Sequence, residues 1–337
     1  MKLSHLLLAL LCAALWGYGF VPSKYGAAHM PPLLFLALRF ALIALLTIWF
    51  APIPRGHWRP LISYSLALGV GHFALFYIGL RLGVEATTAS LIWLSQVPLT
   101  TLLAFFVLGD RPSLRTSIGM AITLAGSVLL IAEPHIAGEP LAITLVVLSA
   151  VMWAVAAIQA KRLPQLSPLA LNAWMALISL PVLIVLSALL ESDQYGEFLV
   201  PDWRLHASLV YMAVLSSIVG YGIWFYLLRR HAVSRTAPFL LLVPIIGVVS
   251  SIATLGEPFS WRTALSGLIT LIGVALIVIR RPAGHPHPIP LPQAGEGDAD
   301  TRGPSPPKEE KQHPSNRALS RLRERVASLG RRPEGSG

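Results

Sequence analysis

Ten long apolar stretches follow one another along the chain, separated by short polar segments. Each is long enough for the roughly 17 to 25 residues that carry a helix across about 30 Å of hydrocarbon. The pattern therefore predicts an all-α integral membrane protein with ten transmembrane helices. The first stretch is too long for a signal peptide and lacks a small-residue cleavage site, so we count it as a span. The predicted spans lie near residues 5–25, 33–51, 61–80, 86–108, 116–132, 141–160, 168–190, 205–228, 236–255 and 263–279.

The composition agrees with this interpretation. Of the 337 residues, 55% are hydrophobic and 12% are charged, whereas about a quarter of a soluble chain is charged. So few charges cannot cover a hydrated surface, which excludes an ordinary soluble enzyme. The net charge of +10 raises nucleic acid as a partner, but no basic, aromatic-interleaved face exists outside the loops. A single cysteine, Cys12, excludes an intramolecular disulfide and a cysteine-based metal site.

Lysine and arginine are concentrated in alternate loops. Positive charge marks cytoplasmic loops, so this distribution predicts that both termini are cytoplasmic in a bacterial-type inner membrane. The basic loops contain Asp110 as their only acid, with Lys2, Arg55, Arg59, Arg111, Arg115, Lys161, Arg162, Arg229, Arg230, Arg235, Arg280 and Arg281. The opposite loops contain Lys24, Arg81, Arg204 and Arg262 with Glu85, Glu133, Glu139, Glu191, Asp193, Glu197, Asp202 and Glu257.

The two halves of the chain share polar landmarks. Trp16–Lys24 (WGYGFVPSK) and Trp153–Lys161 (WAVAAIQAK) both have the pattern W-x7-K. Residues 108–116 (LGDRPSLRT) and 255–263 (LGEPFSWRT) match in the same way near the end of each half. The spacing differs by ten residues between the two matches because the loop near residues 191–204 is longer in the second half.

These matches predict two five-helix repeats. Five is odd, so the second repeat enters the membrane from the opposite side and the repeats are inverted. We assign residues 1–133 to the first repeat, 139–281 to the second and 282–337 to a disordered, proline-rich cytoplasmic tail. Inverted repeats are typical of alternating-access transporters, whose substrate site lies near the midplane.

The segments WGYGFVPSKYG, MPPLLFLALRF and the recurring LGDRPSLRTSIGMAITLAGSVLL and LGEPFSWRTALSGLITLIGVAL resemble the EamA-type transporters of the drug/metabolite superfamily. The resemblance covers residues 1–281. The first two helices and YIGLRLGVEATTASLI are most similar to exporters of cysteine and O-acetylserine-type metabolites. The resemblance implies ten helices, two repeats, an inner-membrane location and outward transport of small metabolites. It also implies an arginine in the second helix.

Arg39 lies about eight residues into the second span. A central arginine costs about 2.5 to 3.5 kcal/mol on insertion scales, so it should face the bundle interior or a wet cavity. Its guanidinium suits a substrate carboxylate, which it can bind through two parallel hydrogen bonds. The alternatives are bonding to helix-end carbonyls and snorkelling to the surface. Met175 occupies the matching place in the second repeat, so the predicted site is asymmetric.

Four further residues are candidates for the cavity wall. His72, between Gly69 and Gly71, is a candidate for proton coupling, and an inter-helix hydrogen bond is the alternative. Gln96 binds substrate or joins helices. Trp16 lines the cavity, faces lipid or fills the core, and Tyr221 either contacts substrate or fills the core.

Three further residues are also candidates. Lys24 departs from the positive-inside pattern, which suggests a role at the outer mouth of the cavity, with snorkelling as the alternative. Pro98 and Pro244 lie at near-equivalent positions in the fourth and ninth spans, where proline frees backbone carbonyls and forms hinges.

No carboxylate falls near the middle of a predicted span. A proton relay through buried acids is therefore not expected, which leaves exchange, facilitated diffusion or coupling through His72. Asp110 and Glu257 are expected to complement the dipoles of the fifth and tenth helices that follow them. An integral-membrane enzyme would need clustered histidine, cysteine or carboxylate, and a cofactor is not expected. The expected partners are a small-molecule substrate, lipid and a proton or exchange substrate, and a homodimer is compatible with the sequence.

The tail gives a first testable prediction. Residues 282–337 are expected to be dispensable, with a basic amphipathic segment at 317–332 on the anionic inner leaflet as the alternative. Deleting everything after Pro282 should leave flux unchanged, measured in proteoliposomes at matched protein content. Loss of flux from a truncated chain that still inserts normally would contradict this.

Overall fold

The structure is a computed structural model, and it describes residues 2–132, 140–163, 166–192, 202–231 and 233–279. Within these residues all regular structure is helical, and ten helices are long and apolar enough to cross a membrane. They confirm the ten predicted spans to within a few residues. Residue ranges are α1 Leu3–His29, α2 Pro32–Phe50, α3 Trp58–Arg81, α4 Ala86–Leu108, α5 Leu114–Ile131, α6 Pro140–Ala160, α7 Pro168–Leu190, α8 Trp203–Arg230, α9 Pro238–Leu255 and α10 Trp261–Val278.

Several predictions concern residues that the structure does not describe. The tail at 282–337 and the basic pair Arg280 and Arg281 lie outside the described residues. Four of the acids assigned to the opposite loops lie outside them as well, namely Glu133, Glu139, Asp193 and Glu197.

Backbone irregularities recur at corresponding places in the two halves. A π-helical segment interrupts α3 at Leu66–His72 and α8 at Tyr211–Gly220. A 3₁₀ turn at Trp93–Ser95 divides α4, and another at Ala237–Leu241 precedes the main part of α9. Such departures from α geometry leave backbone carbonyls for other donors and are frequent at functional sites.

Both predicted hinge prolines follow the 3₁₀ turns. Pro98 is the third residue of the α-helical segment Gln96–Leu108, and Pro244 is the third residue of Leu242–Leu255. Proline lacks an amide hydrogen and is tolerated in the first turn of a helix. Each proline therefore lies in the first turn of an α-helical segment, and bending at these prolines stays a prediction.

The helix packing follows the same correspondence. Three helices pack against their own counterparts in the other half: α2 against α7, α4 against α9 and α5 against α10. Helix α1 packs against α8 and α9, and α6 packs against the counterparts of these two, α3 and α4. The helices α1, α8 and α9 form one set of neighbours, called the A group here, and α3, α4 and α6 form the B group.

The α5–α10 contact is reciprocal between the halves. A Cβ atom on Gly126 would lie 2.4 Å from Thr270 Oγ1 and 2.7 Å from the Thr270 amide nitrogen. A Cβ atom on Gly273 would lie 2.4 Å from Thr123 Oγ1 and 2.5 Å from the Thr123 nitrogen. Small residues allow such close backbone approach between helices in lipid.

Candidate functional site

A cavity of about 650 Å³ lies between the A group and the B group. This volume is typical of a site for a small organic molecule. Residues of nine of the ten helices contribute to its lining, α5 being the exception. Eleven of the lining residues are aromatic: Trp16, Phe20, Tyr64, Phe73, Phe76, Tyr77, Trp93, Trp153, Tyr221, Trp224 and Phe225.

The cavity is placed unevenly along the bundle. We call the end of the bundle that contains Lys24 the Lys24 face and the end that contains Lys161 the Lys161 face. The lining reaches the Lys161 face at Ala160, the last residue of α6, and at Pro168, the first residue of α7, both partly exposed. In the other direction it ends near Ser23 of α1.

The Lys24 face is packed closed. The residues between the cavity and this face are at most 4% exposed: Ala27, Met30, Phe35, Leu80, Val84 and Ala86. A ring carbon of Phe35 would lie only 2.5 Å from a Cβ atom on Gly26, so α1 and α2 approach closely here. The cavity is consequently a pocket that extends to the Lys161 face and ends blindly towards the Lys24 face.

Arg39 lies near the blind end, 3% exposed. Its Nη1 donates to Tyr77 Oη at 3.3 Å, its Nη2 donates to Ser217 Oγ at 2.9 Å, and its Nε has no partner among the described residues. The guanidinium carbon lies 4.7 Å from the centre of the Phe73 ring, a cation–π contact. The expectation that Arg39 faces the interior is therefore met, and its hydrogen-bond partners are side chains rather than helix-end carbonyls.

The guanidinium is held by residues that have no matching partners in the other half. Tyr77 Oη lies 3.2 Å from Ser23 Oγ, and Ser217 Oγ donates to the Met212 carbonyl inside the π-helical segment of α8. Met175 is 3% exposed and packs near Gly69 of α3. The surroundings of Arg39 in α2 and of Met175 in α7 therefore differ.

His72 and Gln96 also line the cavity and are 5% exposed each. The Nδ1 atom of His72 lies 2.8 Å from the Ser149 carbonyl oxygen, to which it donates, so α3 and α6 are joined. This is the inter-helix hydrogen bond that was the alternative to proton coupling. Gln96 Oε1 is buried and accepts no hydrogen bond from any described residue.

Trp16 and Tyr221 face each other across the α1–α8 contact, with ring centres 5.1 Å apart. Trp224 adds a third ring, 5.8 Å from Trp16. The indole Nε1 of Trp16 donates to the Ser216 carbonyl in the π-helical segment. The rings therefore present apolar faces to the cavity while the polar edge of Trp16 is satisfied.

Three predicted site residues lie outside the described lining of this cavity: Lys24, Pro98 and Pro244. The ammonium group of Lys24 donates to the carbonyl oxygens of Leu80 and Val84, at 2.9 and 2.8 Å. It therefore joins α1 to the end of α3 instead of reaching the cavity.

Several polar residues of the site were not predicted from the sequence. Tyr77, Ser217 and Ser23 form the hydrogen-bonded surroundings of Arg39. Asn172 lines the cavity in the first turns of α7, and its Nδ2 atom has no partner among the described residues. The only feature of the sequence that could have indicated them is that each is a polar residue in an apolar helix. Serine and tyrosine also occur at many positions that only pack helices together.

Two groups just outside the spans have shifted pKa values. The hydrogen bond that Tyr25 donates to Asp202 at 2.7 Å lowers the pKa of the Asp202 carboxyl. Desolvation and the neighbouring His5 lower the pKa of His231, whose Nε2 lies 2.7 Å from His5 Nδ1. Both groups lie at the ends of α8 and away from the cavity lining.

Comparison with known proteins agrees with this architecture. The model of the EamA-like transporter family matches the chain twice, at residues 3–132 and 140–279. The chain belongs to this family. As an EamA-like transporter it is a multi-pass membrane protein, and the expectation from the sequence resemblance is confirmed.

Several relatives cover most of this EamA-like chain. A protein of Salmonella typhimurium named "Probable amino-acid metabolite efflux pump" is 35% identical over 289 residues, 82% of this chain and 96% of the relative. A protein of the same name from Escherichia coli K12 is 32% identical over 80% of this chain and 93% of its own length. A solved crystal structure with 17% identity covers 82% of this chain and 96% of its own, with a TM-score of 0.58, which supports the fold alone.

Proposed function

We propose that this EamA-like transporter exports small zwitterionic amino-acid metabolites, of the cysteine and O-acetylserine type, by alternating access. The observation that carries the proposal is Arg39, a buried guanidinium beside the blind end of the cavity with no acidic partner among the described residues. Two relatives that are more than 30% identical are named as probable amino-acid metabolite efflux pumps, which supports the substrate class.

The charge of the cavity favours a substrate with a carboxylate. Among the described lining residues Arg39 is the only fixed charge, and no aspartate or glutamate is present. Two like charges 4 Å apart repel by about 4 kcal/mol at an effective dielectric constant of 20. A cation entering the cavity would meet this repulsion without a compensating acid, whereas a carboxylate would neutralise Arg39.

The remaining lining suits the ammonium end of a zwitterion. Gln96 Oε1 is an acceptor without a partner among described residues, and a substrate ammonium group would satisfy it. Trp16 and Tyr221 offer aromatic faces, which attract cations. We therefore assign the carboxylate to Arg39 and the ammonium group to Gln96 and these rings. His72 positions α3 against α6 through its bond to Ser149.

We further propose that the halves are inverted repeats and that the Lys161 face is cytoplasmic. The recurring π-helical and 3₁₀ segments, the reciprocal packing of α5 on α10 and the double family match support two equivalent halves. The concentration of lysine and arginine at the Lys161 face supports the orientation, with both termini on that side. In this orientation the cavity is open to the cytoplasm, where an exporter loads its substrate.

The proposal is tested by counterflow in proteoliposomes. Vesicles preloaded with unlabelled O-acetylserine or cysteine should accumulate the labelled compound, and an amidated analogue that lacks the carboxylate should neither drive nor inhibit this uptake. Cationic dyes should not compete, because the part of the cavity lining that the structure describes offers them no acid. Absence of amino-acid counterflow in a folded protein would overturn the substrate assignment.

A hydrophobic-cation exporter is the second candidate, and the eleven aromatic lining residues favour it. In that case Arg39 would be structural. Dye counterflow that is inhibited by neither cysteine nor O-acetylserine would establish this alternative.

A further inference from the structure

In the described part of the chain, three charged side chains join the A group to the B group across the Lys24 face: Glu257, Lys24 and Arg81. Arg81, at the end of α3, donates to the carbonyls of Ala27 and Ala28 in α1. The carboxylate of Glu257, which follows α9, accepts hydrogen bonds from the amides of Ala86 and Thr87 at the start of α4, both at 2.7 Å. Lys24 of α1 donates to the carbonyls of Leu80 and Val84, at the end of α3 and in the turn that follows it. We call Lys24 and Glu257 the outer latch.

The position of Glu257 differs from the sequence-based expectation. Glu257 was expected to complement the dipole of α10, but Ser260 caps that helix by accepting from Thr263. Glu257 instead caps α4, a helix of the other half. The first amides of a helix lack partners within it and carry partial positive charge, so a carboxylate is a strong partner for them. Separation of α4 from α9 would break both bonds at once.

The corresponding residues at the Lys161 face are arranged differently. Asp110 follows α4 as Glu257 follows α9, in the matched segments LGDRP and LGEPF. Lys161 ends the second W-x7-K pattern as Lys24 ends the first. In the structure these two residues form an exposed pair, with Lys161 Nζ 3.3 Å from Asp110 Oδ2. Both belong to the B group, so this pair does not join the two groups.

The correspondence between the two halves identifies the groups that Asp110 and Lys161 would bind if the Lys161 face closed. The counterpart of the first turn of α4 is the helical turn Val233–Thr236, which leads into α9. The counterparts of the carbonyls bound by Lys24 lie near residues 228–231, where α8 ends. Both targets belong to the A group, so the same contacts formed there would join the A and B groups across the Lys161 face.

We infer that Glu257 and Asp110 are paired positioning residues of the transport cycle, each holding one face of the cavity closed by capping a helix of the opposite half. Lys24 and Lys161 act with them. In the conformation described here the outer latch is formed, while Asp110 and Lys161 pair with each other. This inference rests on the proposed alternating access, but it does not depend on the identity of the substrate.

The test measures how readily each face opens. In a Cys12→Ala background, one reporter cysteine replaces Ala27, which is fully buried near the Lys24 face, and another replaces Ala157 in the cavity lining. The protein is reconstituted in lipid nanodiscs, where both faces are accessible, and the rate of labelling by a polar maleimide is measured. The labelling rate of a reporter cysteine rises with the fraction of molecules in which its face is open. Each variant is therefore compared with the protein that carries the same reporter cysteine and Cys12→Ala but no other change.

The two acids should have opposite effects. Glu257→Gln should raise labelling at the Ala27 reporter about tenfold, which corresponds to about 1.4 kcal/mol. Asp110→Asn should lower labelling at the same reporter by a similar factor, whereas Asp110→Glu should retain the wild-type rate. Lys24→Gln should raise labelling at the Ala27 reporter, as Glu257→Gln does. Lys161→Gln should lower it, as Asp110→Asn does.

Glu191→Gln is the matched control. Glu191 lies at the same face and caps α2 by accepting from the amides of Leu33 and Leu34, but it does not join the A and B groups. Its replacement should leave both labelling rates unchanged. Asp110→Asn without effect, or with an effect in the same direction as Glu257→Gln, would overturn the inference. If Glu257→Gln and Asp110→Asn shift the labelling rate in opposite directions but the protein shows no amino-acid counterflow, the inferred roles of the two acids stand. Only the proposed substrate is then rejected.

Discussion

Arg39→Met should reduce counterflow of O-acetylserine and cysteine by about 100-fold or more while the protein stays folded. Hydrogen bonds to charged groups contribute about 1.5 to 3 kcal/mol each, and a guanidinium can offer two to a carboxylate. Losing both corresponds to at least about 3 kcal/mol, or two orders of magnitude. The measurement is the initial rate of labelled substrate uptake into preloaded proteoliposomes.

Methionine is chosen because the chain itself contains it at the equivalent place. Met175 is buried in α7 where Arg39 is buried in α2, so this membrane environment accepts the side chain. Removing a buried charge that lacks an acidic partner among the described residues should not unfold the protein, since no opposite charge is left behind there. Arg39→Lys keeps the charge but loses the paired geometry, and its rate should fall between those of Met and wild type.

Arg55→Met serves as the matched control for the loss of one positive charge. Arg55 is exposed in the turn between α2 and α3 and lies away from the cavity lining. Its replacement should leave the counterflow rate unchanged. Full counterflow in a folded Arg39→Met protein would reject Arg39 as the carboxylate site and leave the assignment to the family intact.

The ten helices were predictable because lipid imposes a simple requirement on sequence. A spanning segment must satisfy its backbone internally and must be apolar over a fixed length, so hydropathy alone locates α1 to α10. The interior location of Arg39 was predictable for the same reason. A central arginine is costly in hydrocarbon, and this cost requires a polar or wet location.

The partners of the charged groups were not predictable from local pattern. Tyr77 and Ser217 are separated from Arg39 by 38 and 178 residues, and nothing in their own helices distinguishes them from packing residues. Glu257 lies beside the start of α10, so a local argument assigned it to that helix, while the fold brings the start of α4 to it from 171 residues away. Long-range pairing depends on the arrangement of the helices, which hydropathy does not encode.

Lys24 shows a different limit of sequence reasoning. Its departure from the positive-inside pattern suggested a role at the outer mouth of the cavity, but the pattern could not distinguish a cavity from a helix end. The end of α3 presents the carbonyls of Leu80 and Val84, and a lysine amine within reach satisfies both. Substrate binding by Lys24 therefore has no support from the geometry, and its contact between the groups accounts for its position.

Gly126→Val and Gly273→Val should each destabilise the protein strongly. A Cβ atom at either position would approach a threonine amide nitrogen in the facing helix to 2.7 Å or less, and backbone cannot move aside as a flexible side chain can. Overpacking of this kind typically costs about 1 to 3 kcal/mol, and forced separation of α5 from α10 should place valine at the upper end. For a chain of this size about 3 kcal/mol corresponds to a fall of about 4 °C in melting temperature.

Gly222→Val is the matched control, because a Cβ atom on Gly222 would have no neighbour within 4 Å. The melting temperature of each variant in the same detergent, followed by size-exclusion chromatography after heating, is the measurement. The two interface variants should lose similar stability, since Gly126 meets Thr270 in the same way that Gly273 meets Thr123. A large loss for one and none for the other would contradict the reciprocal α5–α10 contact, and with it the pseudo-symmetry from which the roles of Asp110 and Lys161 were inferred.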